Sequence, residues 1–107
     1  RRKKIRDLGF DVDPEFLWDL FLQQNGKCAI SGVELKLSSK YNSRGKEQTA
    51  SLDRIDSSKG YLKNNVQWIH KSLNTMKWDM DQGEFLRWIK NIYEFKNTQQ
   101  PMEFNLE

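Results

Sequence analysis

Between positions 52 and 77 the chain reads LDRIDSSKGYLKNNVQWIHKSLNTMK, and the acids, amides and bases in it recur at spacings suited to phosphate chemistry. Asp53, Arg54 and Asp56 stand together. Asn65 follows a polar stretch, and His70, Asn74 and Lys77 come at helical intervals. A carboxylate at a strand end and an amide on the following helix can converge on one hard cation. Mg²⁺ favours such a set, because it takes few protein oxygens and keeps water or phosphate in its remaining positions. Arg54 keeps its proton at neutral pH, so it is suited to clamping a phosphate oxygen and poorly suited to acting as a base. Lys63, Lys71 and Lys77 are either phosphate contacts or solvated surface.

The elements that must position these residues follow from pattern. Residues 49–56 read as a strand ending in three charges, and residues 57–60, SSKG, read as a turn in which Gly60 can supply a positive φ. Val66, Trp68 and Ile69 read as a second strand. From His70 the period becomes helical, with Leu73, Met76 and Lys77 in register. Upstream, Asp13-Pro14-Glu15 is a helix start with Asp at the N-cap, and Asn25-Gly26 is its stop, Gly at C′. Phe16, Leu17, Leu20 and Phe21 form the apolar stripe of that helix. Residues 28–37 suggest a hairpin turning at Ser31-Gly32, and residues 38–48 an exposed polar loop. Asp81-Gln82-Gly83-Glu84 resembles a capping box. It opens a last helix whose Phe85, Trp88, Ile89, Ile92 and Tyr93 read as core.

At 107 residues the chain forms one domain with a modest core. A single Cys excludes an internal disulfide and fits a reducing, cytoplasmic setting. No transmembrane run or signal peptide is visible, so no membrane partner is expected. The net charge is only +3, but residues 36–78 hold nine basic against three acidic side chains. A basic middle suits a polyanionic partner, and a solvated lysine face is the plainer reading. Residues 1–12 are expected to be a basic arm or linker, residues 13–96 the folded domain, and residues 97–107 a loose tail. A chain that opens on Arg1 is also expected to belong to a longer protein with flanking domains.

The segment from Gly26 to Lys77 resembles the HNH (ββα-metal) endonucleases, in particular phage-type members. The family motif is a strand ending Asp-His, an Asn opening the second strand, and an Asn or His nine residues later on the helix. Asp53, Asn65 and Asn74 match those places, and Lys77 matches a basic residue that often follows. GKCAISG and the GY of KGYLKNNV also resemble phage-type members. The resemblance implies an α+β fold with a ββα-metal core between an N-terminal and a C-terminal helix. It implies cleavage of DNA phosphodiesters, with Asp53 and Asn74 holding Mg²⁺ or Mn²⁺ and Asn65 fixing the loop.

Two departures shape the expectation. The places of a structural zinc in the family read Cys28, Ser31, His70 and Leu73, and a structural zinc wants four N/S ligands. No structural zinc is therefore expected, with packing by Trp68 and Leu73 in its place. Arg54 stands where the family has the His that activates water. His70, an imidazole and so of the residue type most often used as a general base, and Asp56 are the substitute bases, alongside metal-bound hydroxide. The alternative is a DNA-binding module that keeps the fold and has lost hydrolysis. A third reading is a domain whose basic middle binds RNA or a protein.

Overall fold

The computed structural model describes residues 8–38 and 47–99. Their elements run α1 (Pro14–Gln23), β1 (Ala50–Arg54), β2 (Val66–His70), α2 (Lys71–Lys77) and α3 (Gln82–Gln99). Among the described residues this is a small mixed domain: three helices and one two-stranded antiparallel sheet. No helix among them is long and apolar enough to cross a membrane.

The strands pair in the register Ala50↔His70, Leu52↔Trp68, Arg54↔Val66. Alternate residues of a strand point to opposite faces. Ser51 and Asp53 therefore share one face and meet α2, where Asn74 and Lys77 lie one turn apart. Trp68 meets α1: its indole Nε1 donates to the Leu17 carbonyl at 2.9 Å, and its ring packs edge-on against Phe21. The apolar core gathers Cys28, Leu35, Ala50 and Ile69, with Trp68 and Leu73 packed against it.

Local signals fix the helix ends. Asp13 Oδ1 accepts the Phe16 N–H at 2.8 Å, and Asp81 Oδ1 accepts that of Glu84 at 2.7 Å. After α1, Asn25 (φ 55°) and Gly26 (φ 66°) both turn left-handed. Gly26 is thus the second left-handed residue past the helix, and Asn25 holds the C′ place expected for it.

Four expectations need correction. The hairpin over 28–37 reduces to a single bridge, Lys27↔Glu34, closed by Cys28 N–H to the Val33 carbonyl at 2.8 Å. Residues 8–12, expected to belong to an arm, are docked on the loop before β2. Asp11 N–H donates to the Tyr61 carbonyl at 3.1 Å, its carboxylate accepts the Lys63 N–H at 2.7 Å, and Val12 is buried. Residues 1–7 lie outside the described part, as does most of the expected loop over 38–48. Gly60 is not at positive φ. Its role is close approach, since a Cβ there would lie 2.0 Å from the Gly9 carbonyl oxygen. Finally, α3 continues to Gln99, past the expected limit at 96, and only Phe85 of its apolar residues is buried. The tail beyond Gln99 lies outside the described residues.

Candidate functional site

A shallow pocket of about 310 Å³ opens where the end of β1 meets α2, lined by Leu52, Asp53, Arg54, Ser57, Tyr61, Asn74, Trp78 and Asp79. Three of the residues singled out by spacing, Asp53, Arg54 and Asn74, are brought together here. β1 delivers the first two and α2 the third.

Asp53 is the most constrained of the three, at 3% exposed. The Lys77 ammonium lies 2.8 Å from its Oδ1, and Gln67 Nε2 donates to its Oδ2 at 3.0 Å. Gln67 in turn donates to Gln82 Oε1 at 2.6 Å, so the network reaches the first residue of α3. Lys77 also donates to the Arg54 carbonyl at 2.7 Å. A buried carboxylate must be paired or it neutralises, and here an ammonium pairs it. Lys77, expected as a phosphate contact at the surface, is therefore corrected: it is 1% exposed and forms the counter-ion of Asp53. Helical spacing placed it on the face of Asn74, and that face turns inward.

Arg54 is held by the loop that follows it. Its Nη1 donates to the carbonyls of Ser57 and Lys59 at 2.9 and 3.0 Å, and its guanidinium carbon lies 5.5 Å from the Tyr61 ring centroid. Asn74 donates from Nδ2 to Ser51 Oγ at 2.6 Å, which leaves its amide oxygen as the acceptor. Asn65 braces the same loop from beneath. It accepts the Asp56 N–H at 2.9 Å and donates to the carbonyls of Asp56 and Gly60 at 3.0 and 2.9 Å.

The two candidate bases lie elsewhere. His70 caps α2, its Nδ1 accepting the Ser72 N–H at 3.1 Å. It pairs with Ala50, three residues and about 10 Å of strand from Asp53. Asp56 Oδ1 accepts the backbone N–H and the hydroxyl of Ser58 at 2.9 and 2.6 Å. The Ser58 hydroxyl and N–H hold its carboxyl below the usual value, with help from Lys59 and Arg54. Neither residue lines the pocket. The reason is geometric: spacing gives the face of a strand, but not how far along the pocket sits.

Lys63 and Lys71 are exposed, as a phosphate contact requires. The Lys63 ammonium lies 5.6 Å from the Phe16 ring centroid, a cation–π contact with α1. Of the four residues compared with a zinc site, Cys28 is buried in the core, Leu73 packs against it, Ser31 bonds the Cys28 sulfur and His70 caps α2. The Cys28 sulfur accepts the N–H groups of Ser31 and His70, each at 3.4 Å. Burial pushes that thiol up, and the hydrogen bonds from Ser31, His70 and Ile30 outweigh burial and leave it below the ordinary value.

Tyr61, Trp78 and Asp79 line the pocket without having been singled out from the sequence. Trp78 follows α2 at φ 52°, ψ −113°, within a turn closed by Met80 N–H to the Lys77 carbonyl at 2.9 Å. Those angles are close to the second residue of a type II′ turn, a glycine position. For a bulky residue they cost on the order of 1–3 kcal/mol. The sequence carries no marker of this stop, since neither Gly nor Pro stands between Lys77 and Gln82. No model of a known family, no curated protein and no solved structure matches this chain.

Proposed function

We propose that the chain is a metal-dependent endonuclease acting on DNA phosphodiesters, built on a ββα-metal core of β1, β2 and α2. The observation that carries this reading is the convergence of Asp53, Arg54 and Asn74 on one open pocket. The donor chemistry fits a hard divalent cation. A carboxylate residue and an amide residue line one pocket, and the Lys77 ammonium on Asp53 marks that carboxylate as a place where positive charge is stabilised. Asp53 and Asn74 would hold Mg²⁺ or Mn²⁺, which when bound supplies Lewis-acid stabilisation of charge on the phosphate and leaving oxygens.

The chain's own residues divide the remaining work. Arg54 receives a non-bridging phosphate oxygen through Nη2 and Nε, because Nη1 is committed to the loop carbonyls. The loop carbonyls and the Tyr61 face hold the planar guanidinium in place, which limits the ordering cost on binding. Asn65 keeps the 56–60 loop closed against β2, so Arg54 is aimed by two layers of hydrogen bonds. Lys63 and Lys71 lie on the exposed surface and give sequence-independent attraction to the strand.

A second reading is favoured by one observation. The Lys77 ammonium already neutralises Asp53, and His70 is not among the residues lining the pocket. A domain so arranged can bind a nucleic acid strand and leave it intact. Incubation with supercoiled plasmid and Mg²⁺ or Mn²⁺ separates the two. Nicking that EDTA abolishes, and that Asn74→Ala and Arg54→Ala each reduce at least about a hundredfold, supports the enzyme. Binding with no nicking under either metal overturns it in favour of the binder.

A further inference from the structure

Trp78 stands on the rim of the pocket with 80% of its surface exposed, the most exposed of the large hydrophobic side chains among the described residues. Its backbone occupies a conformation that glycine adopts freely and tryptophan does not. Nothing in the local fold needs an indole there. The turn is closed by main-chain atoms of Lys77 and Met80, and the ring fills no core space. An aromatic held outward at a conformational cost, beside an arginine that suits phosphate, has the two features of a single-strand binding groove: a cationic contact and a π-face. Tyr61, under the Arg54 guanidinium, also lines the pocket, and the Phe10 ring, 70% exposed, lies 6.2 Å from the Tyr61 ring.

We propose that the Trp78 indole is a stacking platform for an unpaired base of the strand whose phosphate Arg54 receives, so that the site selects single-stranded or locally unpaired nucleic acid. The inference rests on the phosphate-binding reading of the pocket. Inside a duplex every base face is covered by its neighbours, so only the outer faces of the two terminal pairs are open to the ring. In a single strand, a flap or a bulge, a splayed base offers its whole face.

The test is equilibrium binding of the full chain, in EDTA, to a fluorescently labelled short oligothymidine and to a blunt duplex of equal length. Parent, Trp78→Phe and Trp78→Gly are compared, with thermal unfolding of each. The parent is expected to prefer the oligothymidine. Trp78→Gly should weaken that binding about tenfold or more and raise the melting temperature, because glycine relieves the turn. Trp78→Phe should keep most of the affinity. Loss of affinity together with a gain in stability is a combination that a merely structural tryptophan does not produce. Unchanged oligothymidine binding by Trp78→Gly overturns the platform, even if the parent nicks plasmid. A parent that binds oligothymidine through Trp78 and nicks nothing keeps the platform and removes the nuclease. A parent that prefers the duplex, or binds neither probe, overturns the platform, and a tryptophan that serves a protein partner would give that result.

Discussion

Two regions of this domain use the same helical period to opposite ends. In the unit formed by β1, β2 and α2, the side of α2 that meets Ser51 and Asp53 is polar, although Leu73 joins the apolar core. Asp53, Lys77, Gln67 and Gln82 form a hydrogen-bonded chain in which Asp53, Lys77 and Gln67 are buried, and no buried side-chain polar atom among the described residues lacks a partner. In α3 the apolar stripe turns outward, and Trp88, Ile92 and Phe95 are each more than half exposed. Burial in this protein follows the place an element takes against the sheet rather than the polarity of its stripe. α2 follows β2 with no intervening residue and folds back on the strands, whereas α3 bonds to β2 from its first residue, Gln82, through Gln67. The polar interior borders the candidate site. Buried charge is expensive unless paired, so its retention there fits a site that needs a charged group more than it needs stability.

The largest expected effect comes from breaking the polar side of this comparison. Lys77→Met leaves the Asp53 carboxylate buried and unpaired, and should cost about 3–5 kcal/mol, read from the urea midpoint. Pairing it with Asp53→Leu should recover most of the loss, because an apolar pair of similar volume replaces both charges. If the double variant is as stable as the parent, the pair is held for the site and not for the fold. A further arm concerns the cation. Mg²⁺ or Mn²⁺ should raise the melting temperature of Lys77→Met more than that of the parent, since binding to the native state alone stabilises it. No metal-dependent shift in either protein would argue against Asp53 as a ligand.

Truncation along α3 should show where its contribution ends. Phe85→Ala should cost about 3–5 kcal/mol, as for other buried aromatics, while Ile92→Ser should change stability by no more than about 0.5 kcal/mol. A loss of several kcal/mol at Ile92 would mean that its face is covered in solution. Gly60→Ala probes the docking of residues 8–12 on the loop. The new methyl would meet the Gly9 carbonyl oxygen at 2.0 Å, and backbone cannot swing aside as a side chain can. A cost of about 1–3 kcal/mol is expected, with the 8–12 segment displaced. Amide hydrogen exchange at Asp11 and Lys63, whose N–H groups bond across that contact, should accelerate.

What could be read from the sequence was local. Asp13 and Asp81 announced their helices because a cap is a contact between residues three apart. The strands and α2 fell where their periods changed. Asn65 was assigned to bracing the loop, and its three hydrogen bonds within 56–60 do that. The rest depends on tertiary placement. Lys77 reads as surface because lysine is rarely enclosed, and only the face-to-face packing of α2 on β1 reveals its partner. Gly60 reads as a turn glycine, and the chain that crosses it comes from fifty residues upstream. His70 reads as a candidate base by residue type, yet the pocket lies at the other end of its strand pair. Trp78 and Asp79 enter the pocket because α2 stops where it does, and no residue at that stop marks the boundary as Gly would.

The smallest expected effect lies on the loop that joins the two strands, where Asp56 closes the turn over Ser58. Hydrogen bonds from the Ser58 hydroxyl and N–H stabilise its carboxylate form, so its folded pKa lies below the ordinary carboxyl value of 3.8. A depressed acid contributes stability that is fully present above the unfolded pKa and is lost as pH falls through the folded one. The contribution should therefore be constant from neutrality down to about pH 5 and decline only below about pH 4. Asp56→Asn keeps an oxygen that can accept both Ser58 hydrogens but removes the proton equilibrium. Its stability should match or fall slightly below the parent's at neutral pH, and the gap should close in acid. Urea midpoints of the two proteins at neutral pH and in acid measure this. A gap that widens in acid would mean that Asp56 is protonated more easily in the folded state than in the unfolded one. That would remove the Ser58 turn as a stabiliser of the Asp56 carboxylate.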